Sequence, residues 1–153
     1  MTRTDQQLEA TAQEVFLLLQ ELLRAYQFRD VEAICSFGVS LTECHLLDVL
    51  AASDGQSVKD LASRLGLDKS TTSRAIDTLL EKKLVRKKTS TSDARAVRIE
   101  LTAAGTKKHA AIVAGSVASY AKVLAAVPAE DRQAMVNGFR KLVALLGQRH
   151  CPS

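Results

Sequence analysis

Apolar residues recur along this chain at alternating spacings of three and four, which is the period of an amphipathic helix. The first stripe predicts a helix of about five turns. Its apolar positions are Leu8, Ala12, Val15, Leu19, Leu22 and Tyr26. The stretch Phe28–Val39 breaks this period and contains Gly38, so we expect an irregular connection there.

Two short helices are predicted next, and capping residues bound them. Ser40-Leu-Thr-Glu43 has the spacing of a capping box and starts a helix that runs to about Ala52. The following helix, 58–65, precedes Gly66, which suits a left-handed C-cap. This arrangement predicts a helix that ends in a tight turn.

The fourth helix, from about Lys69 to Lys82 behind an Asp68 cap, has two unlike faces. Its apolar stripe is Thr72, Ala75, Ile76, Leu79 and Leu80, and its outward set is Ser70, Thr71, Ser73, Arg74, Asp77 and Thr78. A helix that enters the major groove of DNA must present short hydrogen-bonding side chains without apolar bulk. Together with the short helix and turn before it, this pattern predicts a helix-turn-helix.

A hairpin follows the fourth helix. Its strands are predicted at Leu84–Thr89 and Ala96–Leu101, with turn-forming residues at 90–93 between them. The tip carries Arg95, which suits a narrow minor groove, where negative potential is concentrated. A hairpin with a basic tip beside a recognition helix predicts a wing.

Two long helices complete the pattern. Thr102 is predicted to cap a helix that runs to about Val127, and Pro128 suits the first position of the last helix. The terminal helices carry more apolar surface than the winged core covers, which favours a dimer joined through them over a larger monomeric core.

The predicted fold is therefore mainly α with a small β-wing: a winged helix-turn-helix with N- and C-terminal dimerisation helices. We expect a single domain over 1–153, with the DNA-binding lobe at 40–104 and dimerisation helices at 5–29 and 103–147.

The charge is unevenly distributed. Residues 57–108 hold 13 of the 21 Lys and Arg but only 6 of the 17 Asp and Glu, a net charge of +7 within a chain of net charge +4. Such a basic segment favours a polyanion partner. Three cysteines are too few for a disulfide scaffold, and no apolar run is long enough to span a membrane, so we expect a cytoplasmic protein.

The sequence resembles the MarR family of bacterial transcriptional regulators. The resemblance rests on VKDLASRLGLDKSTTSRAIDTLLEKKLV at 58–85 and on DARAVRIELTAAG at 93–105, which is close to the family pattern D-x-R…L-T-x-x-G. It implies a homodimer that places one winged helix-turn-helix per subunit on a pseudo-palindromic double-stranded operator. The family wing often has two adjacent arginines after the aspartate, whereas Ala94 replaces the first one here.

The candidate DNA contacts follow from the chemistry and from this resemblance. Arg74 is best able to read guanine, and we expect it to act with Ser70, Thr71 and Ser73 in the groove. Lys69, Lys87 and Lys88 are expected to pair with phosphates. Arg95 at the wing tip is expected to enter a minor groove. Asp93 is expected to orient Arg95 or to close the wing turn.

A possible effector site is less clearly marked. Cys35, Cys44 and His45 lie in or beside the connection between the first two helices, and His109 lies on the fifth helix near the same junction. Thiolate and imidazole suit zinc or another soft metal, and the thiols alone suit redox sensing. Structural cysteines are the first alternative to these sites, and the family default is a small aromatic effector in an apolar cleft.

Two rival functions are disfavoured. The sequence contains none of the nucleophile, phosphate-loop or zinc-protease motifs of the common enzyme classes. A winged helix that binds only protein is expected to lack the basic enrichment and to present an apolar recognition face.

Overall fold

The structure, a computed structural model, describes residues 3–53, 55–89 and 97–147, with the side chains of 3, 27–33 and 35 left out. These residues form six helices and a two-stranded antiparallel sheet. The elements are α1 (Arg3–Cys35), α2 (Leu41–Ala51), α3 (Val58–Leu65), α4 (Lys69–Glu81), β1 (Val85–Thr89), β2 (Val97–Leu101), α5 (Ala103–Leu124) and α6 (Ala129–Gly147). The predicted mainly α winged helix is confirmed.

The helix α1 is longer than its apolar stripe predicts. It continues to Cys35 through most of the stretch that we expected to be irregular, so that expectation was wrong. No glycine or proline interrupts the chain before Gly38, and an established helix extends at little cost. Gly38, with φ of +77°, then turns the chain towards α2.

Capping residues set the ends of the next three helices as predicted. Ser40 and Glu43 form both hydrogen bonds of the capping box, and Gly66 ends α3 in the left-handed region with φ of +63°. The side chain of Asp68 caps α4. These short elements pack around one apolar core, whose fully buried side chains include Leu46, Leu47, Leu61, Ile76, Leu79 and Ile99.

The wing is anchored to this core by an extra backbone bridge. In the hairpin Val85 pairs with Leu101 and Arg86 with Glu100. Gln56, in the connection between α2 and α3, exchanges two backbone hydrogen bonds with Ile99, with N···O distances of 3.0 and 2.8 Å. At the base of the wing, β2 is therefore hydrogen-bonded along both of its edges, to β1 and to Gln56.

The start of α5 lies against the start of β1. Thr102 caps the helix, since its Oγ1 accepts from the Gly105 N–H at 3.0 Å and donates to the Lys83 carbonyl at 2.8 Å. A Cβ built on Gly105 would lie 1.9 Å from the Leu84 carbonyl oxygen. Glycine at position 105 is what allows the helix to begin this close to the strand.

The chain divides into two units, Met1–Val113 and Ala114–Ser153, and the boundary falls within α5. The first part of α5 belongs to the first unit because Ile112 is buried in its core. In the second unit α5 ends at Leu124, three residues before the predicted end. The last helix, α6, begins at Ala129, so Pro128 precedes this helix and does not occupy its first position as predicted. Arg132 Nε donates to the carbonyls of Leu124 and Val127 across this turn.

Each unit presents apolar side chains to solvent. On α1 these include Phe16, Leu18 and Leu23, each more than half exposed. In the second unit they are Val117, Tyr120, Val123, Met135, Val136, Phe139, Val143, Leu145 and Leu146. An exposed apolar surface of this extent is typical of an interface.

Candidate nucleic-acid interface

The outward face of α4 is polar along its first two turns. Lys69, Ser70 and Arg74 are exposed, and Thr71 and Ser73 are half-buried. The opposite face places Thr72, Ile76 and Leu79 in the core. The four predicted groove residues and the predicted phosphate contact Lys69 therefore lie on the accessible side of a firmly packed helix.

Asp68 organises the hydroxyl groups at the start of this face. Its carboxylate accepts from Ser70 Oγ at 2.6 Å, from Thr71 Oγ1 at 2.6 Å and from the Thr71 backbone N–H at 2.7 Å. Because a hydroxyl has one proton to donate, both hydroxyls can only accept hydrogen bonds from other partners while these bonds are made. The bonds from Ser70 and Thr71 hold the pKa of the Asp68 carboxyl well below its usual range.

This depressed pKa predicts a pH dependence for the stability of the lobe. A carboxyl whose pKa is lower in the folded state stabilises the fold fully above its unfolded pKa of about 4. This contribution declines as the pH falls below that value and is lost as the pH falls through the folded pKa. We expect Asp68→Asn to lower the free energy of unfolding at pH 7 and to change it less at pH 3. Urea unfolding of both proteins at the two pH values measures this, and an equal difference at both would contradict it.

The wing lysines lie on opposite faces of β1, since successive side chains of a strand alternate. Lys87 is on the side of α4, with its Nζ 3.9 Å from Asp77 Oδ1. Lys88 is on the other side, with its Nζ 3.1 Å from Glu100 Oε1, and Arg86 contacts the same carboxylate at 3.1 Å. The two lysines therefore have different surroundings. Asp93 and Arg95 lie outside the described residues.

The predicted effector residues are spread over the junction of α2 and α5. Cys44 is buried, whereas its neighbour His45 is exposed. His109 Nε2 lies 2.8 Å from Asp48 Oδ1. Among the described residues no three His, Cys, Asp or Glu side chains group closely enough to hold a metal ion. The side chain of Cys35 is outside the described set, so the metal site stays a prediction.

Burial makes the Cys44 thiol a poor nucleophile. Desolvation, with a smaller contribution from the Asp48 carboxylate, raises the pKa of this thiol to about 11. Because the thiolate is the reactive form, we expect iodoacetamide to label Cys44 about 100-fold more slowly at pH 8 in the native protein than in urea. Peptide mapping by mass spectrometry measures the two rates. Equal rates would show that the thiol is accessible and active.

Comparison with known proteins bears on this helix-and-wing geometry. The MarR family model matches residues 37–96, which include all of α2, α3, α4 and β1. A MarR family protein from Bacillus stearothermophilus superposes with a TM-score of 0.84 at 22% identity, over 91% of this chain and 97% of that one. A MarR family regulator from Silicibacter pomeroyi does so with a TM-score of 0.63 at 26% identity, over 83% and 86%.

The chain is similar to the MarR family over residues 37–96 and shares the fold of MarR family structures. A mutant MepR from S. aureus, whose structure contains a bound oligodeoxyribonucleotide, shares its fold with a TM-score of 0.64 at 21% identity, over 86% of this chain and 97% of that one. No curated protein sequence matches at a significant level. Members of the MarR family are transcriptional regulators and not enzymes, as the sequence predicts.

None of the described helices is long and apolar enough to cross a membrane.

The helix-turn-helix lobe contains a polar tie that the sequence does not predict. Lys82, at the C-terminal end of α4, donates to Glu43 Oε2 at 2.6 Å and to the Gly38 carbonyl at 2.8 Å. Lys108 of α5 donates to the neighbouring Phe37 carbonyl at 3.0 Å. Glu43 is only 5% exposed and also completes the capping box of α2. The turn that follows α1 is thus bonded directly to α4 and α5.

Proposed function

We propose that the protein is a homodimeric transcriptional repressor that binds a pseudo-palindromic double-stranded DNA operator. The α4 helix of each subunit enters a major groove, and the wing contacts the adjacent backbone and minor groove. A small effector at the junction between the terminal helices and the DNA-binding lobe releases the repressor. As a cytoplasmic protein, it reaches the DNA directly.

The observation that carries this proposal is the contrast between the two sides of α4, one buried in the core and the other exposed and polar. Its inner side is packed into the core by Thr72, Ile76 and Leu79, and its outer side offers hydroxyls and two long cations, Lys69 and Arg74. Short polar groups can approach the edges of the base pairs, and a guanidinium can contact both acceptors of guanine. A protein-binding winged helix would instead need apolar groups on this side.

Exposed apolar surface supports the dimer. Both α1 and the second unit leave large aliphatic and aromatic side chains in water, and a second copy of the chain would cover them. A twofold dimer presents two recognition helices about one DNA turn, roughly 10 base pairs, apart. Bound across a promoter, such a dimer would block polymerase.

The polar tie supports an effector that acts from the junction. Lys82 and Lys108 connect the turn after α1 to α4 and α5, so a ligand that displaces this turn would also displace the recognition helix. The unreactive thiol of Cys44 favours an organic effector over an oxidant. The metal- and thiol-sensing alternatives depend on Cys35.

Selection from a random duplex library tests the DNA-binding proposal. We expect enrichment of a pseudo-palindrome, and fluorescence anisotropy should give an affinity about 10³-fold or more above that for a scrambled duplex. Placing the selected site between a promoter and a reporter gene should lower expression. Absence of any enriched sequence would contradict the proposal and favour a protein partner.

A further inference from the structure

The stem of the wing contains one carboxylate among several cations. Glu100 on β2 pairs in register with Arg86 on β1, and Lys88 is paired with Arg98 one step further along the same face. Arg86 Nη2 lies 3.1 Å from Glu100 Oε2 and Lys88 Nζ lies 3.1 Å from Oε1, so each oxygen holds a different cation. These bonds lower the pKa of the Glu100 carboxyl, with Lys88 as the main cause.

The two cations are well exposed, whereas the carboxylate is half-buried. The side chains of Arg86 and Lys88 are 62% and 56% exposed, but that of Glu100 is 18% exposed. Either cation can therefore reach solvent or a phosphate, but only by giving up part of its interaction with a fixed anion. Their charge is partly neutralised before DNA arrives.

We propose that Glu100 restrains Arg86 and Lys88 from pairing with DNA phosphates, and so limits the affinity of the protein for non-operator DNA. This inference rests on the proposed DNA-binding function. Non-specific affinity comes almost entirely from phosphate contacts, each of which releases condensed counterions. A carboxylate that competes for two wing cations lowers this sequence-independent contribution and leaves the base contacts of α4 intact.

The test compares Glu100→Gln with the wild type on a scrambled duplex over a range of salt concentrations. Gln keeps the shape of the side chain and removes the charge. We expect the slope of log K against log salt to steepen by about 0.9 for each phosphate newly contacted, and by up to about 1.8 for two. The affinity at 0.1 M salt should rise by about eightfold for each new contact.

Two further variants isolate the ion pairs. Glu130→Gln removes the same charge from an exposed position in the first turn of α6, and it should leave the slope unchanged. Adding Glu100→Gln to a protein that already carries Arg86→Gln and Lys88→Gln should give no gain. A gain that persisted in that background would mean that Glu100 acts without these cations, and would overturn the proposal.

The direction of the change separates this role from a structural one. If Glu100 only held the hairpin together, Glu100→Gln would loosen the wing and weaken binding to all DNA, which would also overturn the proposal. A wild type that bound no duplex in a salt-dependent manner would contradict the proposed function itself. A wild type that bound DNA normally, with Glu100→Gln equal to Glu130→Gln, would contradict only the inference.

Discussion

Gly105→Ala is expected to destabilise the protein strongly, and far more than alanine at Gly138 or Gly147. The new Cβ would lie 1.9 Å from the Leu84 carbonyl oxygen, which is backbone and cannot rotate away. Either α5 or the start of β1 must move, and we expect a loss of about 3 kcal/mol, the upper end of the usual cost of overpacking. Urea unfolding monitored by circular dichroism measures this loss.

Gly138→Ala is the matched control for this substitution. Gly138 also lies in a helix, but a Cβ there would meet nothing within 4 Å. Alanine is the better helix former, so this variant should gain up to about 1 kcal/mol. Opposite signs at the two positions would confirm that close approach, and not helix propensity, requires glycine at 105. A neutral Gly105→Ala would show that the contact between α5 and β1 is looser than described.

Arg74→Ala should cause the largest loss of operator recognition among the α4 variants. Arg74 is exposed on the second turn of α4, and its guanidinium can donate two hydrogen bonds to one guanine. Loss of such a pair costs about 1–3 kcal/mol, or about five- to 150-fold in affinity. The loss should fall on the selected operator and disappear when the contacted base pair is changed.

Arg140→Ala provides the control for net charge in this experiment. Arg140 lies on α6 in the second unit, where its Nη1 contacts Asn137 Oδ1 at 3.3 Å. Anisotropy titrations with operator and scrambled duplexes should show unchanged discrimination for Arg140→Ala. An equal loss in both variants, or an unchanged base preference in Arg74→Ala, would remove Arg74 from the base-reading set.

Local signals in the sequence are sufficient to place the helices of the lobe. The capping box at Ser40 and Glu43, the left-handed Gly66 and the Asp68 cap each act within three or four residues, so their outcome depends little on the rest of the fold. The apolar stripe of α4 is likewise a local periodicity. For this reason the polar, solvent-exposed face of α4 could be predicted before the fold was known.

Contacts between distant segments could not be predicted in this way. Lys82 and Glu43 are 39 residues apart, and no pattern near either one indicates a shared bond. The bridge between Gln56 and Ile99 depends on where the wing folds back. Strand alternation in the sequence separates Lys87 from Lys88, but only the folded register gives them Asp77 and Glu100 as different partners.

The central claim is that α4 of each subunit reads a major groove, and methylation interference on the selected operator tests it most directly. Dimethyl sulfate modifies N7 of guanine in the major groove, which is the acceptor that Arg74 is expected to contact. We predict two clusters of interfering guanines, related by a twofold axis and centred about 10 base pairs apart. Tight binding with no interference at any guanine, or with a single cluster, would contradict the account.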